Sequence, residues 1–138
     1  MSSLVGTILV ALMIAASAAT VPRCYALPKQ DFTGARDFVE RRVRPGETIV
    51  AVGLAARVYG GYFAPHWTAV QENDSLQQAR RTHQGTWLVY TLPIEMRAFQ
   101  PRVWETIERD FEIVKVFPGT LGEGEVFVCR ERDPTPPK

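Results

Sequence analysis

Cysteine and histidine are both scarce in this chain of 138 residues, with two of each. His66 and His83 stand alone, without the H-x-x-H or H-E-x-x-H spacing that aims two ligands at one metal, so no metal centre is expected. A phosphate-binding glycine pattern is missing too. Gly53, Gly60 and Gly61 in "VGLAARVYGG" miss the G-x-G-x-x-G spacing that lets backbone amides approach a pyrophosphate, and no P-loop lysine follows. No cofactor is implied. An excess of charge of one sign is absent as well: 16 Lys and Arg face 15 Asp and Glu, for a net charge of +1. Neutralising a phosphate backbone needs a basic excess, so nucleic acid is excluded as a partner. No serine or cysteine has a base that its sequence neighbours identify, and no catalytic residue is assigned.

Charge is distributed unevenly. Residues 1–22 contain none, and the acidic and basic residues all fall from Arg23 onward. The run "LVGTILVALMIAASAATV", Leu4 to Val21, is about 27 Å long as a helix, against a hydrocarbon core of roughly 30 Å. It reads as a transmembrane helix or signal anchor over residues 1–22. A cleavable signal peptide is the rival, because Ala16-Ser17-Ala18 offers a small-x-small site, although "MSS" lacks the usual basic residue.

Behind Arg23 the pattern alternates between helix and strand. "DFTGARDFVERRV" places Phe32, Ala35, Phe38, Val39 and Val43 on one helical face, with Asp31 as N-cap. After the turn at Pro45-Gly46, Thr48 to Val52 is a short apolar run suited to a strand covered on both faces. A helix over Leu54–Phe63, a strand near Trp67–Gln71 and a polar helix over Ser75–His83 follow. "TWLVYTL", Thr86 to Leu92, is the clearest strand, and Pro93 stops it. The helical stretch from Ile94 to Asp110 breaks at Pro101, which opens a second helix. "FEIVKVF" and "EVFVCR" are two strands joined by the glycine-rich "PGTLGEG", an antiparallel pair. The fold expected is a three-layer, Rossmann-like α/β sandwich over residues 23–130. Its sheet is mainly parallel, with an antiparallel C-terminal edge strand. The proline-rich "ERDPTPPK", residues 131–138, reads as a disordered tail.

Open α/β sheets place ligands at the carboxyl ends of their strands, which selects Glu72, Asn73 and Asp74, just after the second strand, as ligand-binding candidates. Tyr90 and Thr91, at the end of the third, are expected to face the same crevice. A solvated turn with Asp74 or Ser75 capping the next helix explains the first cluster equally. Arg41, Arg42, Arg44, Arg80 and Arg81 could meet lipid phosphates, and a solvated helix face accounts for them too.

The apolar helix, "LPKQDFTGARDFV", "RPGETIVAVG", "TWLVYTLP" and "FEIVKVFPGTLGEGEVFVCR" together resemble the C-terminal end of bacterial membrane glycosyltransferases of the dolichyl-phosphate-mannose type. The resemblance runs from Leu4 to Arg130. It implies a non-catalytic extracytoplasmic domain that assists acceptor or partner binding, beside the membrane-embedded part of the enzyme or a lipid-linked sugar. That family's catalytic acidic residues lie near its first membrane helices, so none is carried over. An independent membrane-anchored or secreted binding domain is the alternative. The resemblance places the domain in the periplasm or outside the cell, whereas Arg23, Lys29 and Arg36 behind the apolar run argue for the cytoplasm by the positive-inside rule. In an oxidising compartment Cys24 and Cys129 could form a disulfide; otherwise Cys129 is a buried strand residue and Cys24 a free thiol.

Overall fold

The computed structural model describes residues 2–26, 29–120, 122 and 124–132, with the side chains of residues 2–4, 20 and 22–26 outside the description. Helix α1 spans Ser2–Ala26 and runs through Pro22 and Arg23. Helix α2, Phe32–Glu40, starts where Asp31 accepts a 2.8 Å hydrogen bond from the Gly34 N–H, and it buries Phe32, Ala35, Phe38 and Val39 as its periodicity demands. Strand β1, Glu47–Val52, leads through Gly53 into α3, Leu54–Val58, which continues as a π-helical turn over Tyr59–Phe63. Strand β2, Thr68–Val70, is followed by α4, Asn73–Thr82, and by β3, Gly85–Thr91. Helices α5, Pro93–Phe99, and α6, Pro101–Asp110, are separated at Gln100, as the proline requires. Strands β4, Phe111–Phe117, and β5, Val126–Glu131, close the chain, so the last strand includes Glu131. Residues 133–138 lie outside the described residues.

The sheet order is β2-β1-β3-β5-β4. β1 pairs parallel with β2 and β3, and β5 pairs antiparallel with β3 and β4. The expectation of a mainly parallel, Rossmann-like sheet with an antiparallel edge is therefore corrected. The antiparallel ladders together are the longer, and β5 lies inside the sheet rather than at its edge. Burial explains the placement: Val126, Val128 and Cys129 are fully buried toward both faces, whereas five central residues of β4 are exposed.

Two apolar clusters sandwich the sheet. Phe38, Val39, Tyr59, Trp67, Trp87 and Val89 anchor the α2 and α3 side. Val50, Leu76, Leu88, Tyr90, Met96 and Ile107 anchor the side covered by α4, α5 and α6.

The expected membrane helix is corrected too. Among the described residues, no helix is long and apolar enough to cross a membrane. The expectation of a membrane-anchored domain rested on that helix, and it is not supported. All the described side chains of α1 are exposed.

Candidate functional site

A crevice of about 270 Å³ opens at the carboxyl ends of the three strands that run alike, β1, β2 and β3. The chain turns sharply at two of those ends. Gly53 has φ +61° and ψ −133°, and a side-chain carbon there would collide with Met96 Sδ. This turn needs glycine. Leu92 has φ 53° and ψ 67°, the left-handed region in which a bulky residue is rare. Such strain persists where surrounding structure enforces it, and it concentrates at ligand sites. Pro93 begins α5 directly behind Leu92, so α3 and α5 both start at the crevice and line it.

Arg57 of α3, Gln71 behind β2, Glu95, Met96 and Phe99 of α5, and Gln100 between α5 and α6 complete the lining. Arg57 and Glu95 form no ion pair among the described residues. Phe99 is 79% exposed at the rim. Gln100 holds its orientation by donating from Nε2 to the Gln71 carbonyl at 3.0 Å, which fixes its Oε1 as the acceptor end. That Oε1 is buried and has no hydrogen-bond partner. A buried acceptor without a donor costs about 1–3 kcal/mol.

A second cavity, of about 330 Å³, adjoins the first and shares Gln71, Phe99 and Gln100 with it. Glu72, Asn73 and Asp74 line this neighbour. Asn73 is engaged structurally, its Oδ1 accepting from Thr106 Oγ1 at 2.9 Å and tying α4 to α6. The helix begins at Asn73, ahead of Asp74 and Ser75, and Glu72 at its N-cap position makes no side-chain capping bond.

Tyr90 and Thr91 separate, because successive strand residues point to opposite faces. Thr91 reaches the crevice, but its buried hydroxyl donates to the Glu125 carbonyl and accepts from Gln30 Nε2, both at 2.8 Å. Tyr90 turns into the other cluster, where its ring stacks on Phe127 at 4.8 Å and meets the edge of Trp104. Burial raises the Tyr90 phenol well above its ordinary value. Cys129 is a free, fully buried thiol that burial pushes up to about 12, and the Cys24 side chain lies outside the described residues.

The sequence pattern pointed to the end of the sheet where these two cavities lie, yet passed over Gly53, Leu92 and Gln100. Their only sequence signal is position: one residue past a strand for the first two, and one residue before the proline that breaks α5 from α6. His66 pairs with Glu40 at 3.1 Å, and Arg80 with Asp110 and Glu131, all away from the crevice. The described residues contain no group of three His, Cys, Asp or Glu placed to hold a metal. Comparisons with known protein families, with curated proteins and with solved structures find no match.

Proposed function

We propose that this chain is a binding domain for a small, hydroxyl-rich ligand of the sugar class, seated in the crevice at the ends of β1, β2 and β3. The observation that carries the reading is the buried, unpartnered Gln100 Oε1, which a ligand hydroxyl satisfies by donating to it. Gln71, Arg57 and Glu95 supply a mixed set of donors and acceptors around it, which suits a molecule whose hydroxyls do both. Phe99 and Leu54 at the rim offer apolar surface to the face of a sugar ring. The resemblance to polyprenyl-phosphate-sugar glycosyltransferases adds to this choice of ligand, and under that reading the crevice receives the acceptor without taking part in the chemistry.

Titration of the isotope-labelled chain with mannose and with glucose, followed by NMR, tests the assignment. Saturable shifts are expected at Gln71, Gln100 and Phe99, and Gln100→Met, which keeps the side chain's length but removes the acceptor, is expected to abolish them. Resonances that stay put at high concentrations of both sugars would sink the proposal.

A further inference from the structure

On the face of the sheet that α4, α5 and α6 cover, a cleft of about 670 Å³ opens beside α6 at the end formed by β5 and β4, over the buried Tyr90, Ile107 and Phe111 and the more exposed Trp104, Phe127 and Ile113. Its floor and walls are aromatic and apolar: Tyr90, Trp104, Ile107, Phe111, Ile113 and Phe127. The rings are already ordered against one another. Tyr90 stacks on Phe127 with their planes 6° apart and meets Trp104 edge-on at 5.6 Å, while Ile113 is left 56% exposed. Arg132, which follows β5, also lines the cleft, held by its N–H to the Asp110 carbonyl at 2.9 Å. The chain beyond Arg132 reads Asp133-Pro134-Thr135-Pro136-Pro137-Lys138.

We propose that this cleft is a docking site for a proline-rich segment, and that its occupant is the chain's own residues 133–138. Three arguments converge. Proline-rich segments favour the polyproline II helix, which loses little entropy on binding and seats proline rings against aromatic grooves. Proline also brings no backbone N–H that an apolar cleft would leave unsatisfied. The reach is sufficient. Six residues in that conformation extend about 19 Å at roughly 3.1 Å each. The path back from Arg132, where the segment begins, to Phe127 along β5 is about 17 Å at roughly 3.3 Å per residue. An Asp-Pro step directly after Arg132 favours the turn that reverses the chain. Arg97, Glu108, Glu112 and Arg132 line the cleft's rim; Glu108 pairs with Arg97 at 3.8 Å, which leaves Glu112 to complement Lys138.

The test is NMR of the full chain, with the indole signals of Trp67 and Trp87 as internal controls, since both lie on the opposite side of the sheet. Nuclear Overhauser contacts are expected from the protons of Pro134, Pro136 and Pro137 to the rings of Tyr90, Trp104 and Phe127. A triple Pro134→Ala, Pro136→Ala, Pro137→Ala variant is expected to lose them and to move the Trp104 indole signal while leaving Trp67 and Trp87 in place. Contacts and signals that persist unchanged on dilution identify docking within one molecule. Contacts that fade on dilution would place the segment in a second copy and overturn the assignment of occupant. Proline protons with no contact to these rings, or a variant in which all three indoles move together, would overturn the site itself.

Discussion

Glu47 shows how a single side chain ties distant parts of this chain together. Its carboxylate accepts hydrogen bonds from the Arg44 N–H at 2.8 Å, Trp87 Nε1 at 3.0 Å and Arg130 Nη2 at 2.7 Å. Burial alone would raise its pKa, but these donors outweigh burial and hold it below the ordinary carboxylate value. Asp110 is lowered as well, first by the hydrogen bond from Arg109 and then by Arg80. A carboxylate whose pKa is lower folded than unfolded contributes stability that is complete above the ordinary value near about 4 and is lost as pH falls through the folded value. Stability measured by urea denaturation is therefore expected to decline on acidification below that range, and Glu47→Gln to flatten the decline. A Glu47→Gln variant with the same pH slope as the parent would refute the assignment. None of this was legible in the sequence, where Glu47 reads only as the residue after a Pro-Gly turn.

At the scale of the element, β4 is the open edge of the sheet. It exposes Ile113, Val114 and Val116, which by themselves make an apolar strand with unpaired backbone groups, a template for association with other chains. Two features blunt it. The pairing with β5 shifts register between Ile113 and Lys115, a bulge that bends the edge. Lys115 also lies over the rings of Phe38 and Phe117, at 4.9 and 4.8 Å, and keeps a charge at the edge's centre. Lys115→Val is expected to raise the light scattering of concentrated protein above that of the parent chain at neutral pH. A variant that scatters no more than the parent would show that the bulge alone protects the strand. The strand itself was legible, because "FEIVKVF" is rich in β-branched and aromatic residues. Its edge position was not, since that depends on which neighbour β5 selects.

Taken whole, the domain closes on itself without α1. The described side chains of that helix are exposed, and the core clusters on both faces of the sheet draw on residues from Phe32 to Cys129. A chain beginning at Lys29 is therefore expected to unfold cooperatively on heating, with the same midpoint as the full chain. A midpoint lower by more than about 4 °C, the shift that roughly 1 kcal/mol produces in a domain of this size, would show that α1 stabilises the fold. The apolar run that forms α1 was conspicuous in the sequence, but hydrophobicity alone did not establish a span. The helix carries Pro22 and Arg23 within it, and among the described residues no helix is long and apolar enough to cross a membrane.

The sequence by itself determined the elements. Asp31 caps α2, Pro93 and Pro101 open α5 and α6, and the apolar runs after Pro45-Gly46 and His83 form strands, because capping, proline geometry and side-chain periodicity act over a few residues of chain. Only the tertiary structure decided where β5 goes. Residues buried toward both faces, Val126, Val128 and Cys129, need a neighbour on each side, and inserting β5 between β3 and β4 provides both while reversing its direction. The same long-range packing set Thr91 at the crevice and turned Tyr90 away from it. It also gathered Gly53, Leu92 and Gln100 around one cavity, although up to 47 positions of chain separate them. Such convergence depends on which strands pair, and strand pairing is settled by contacts between residues far apart in the chain.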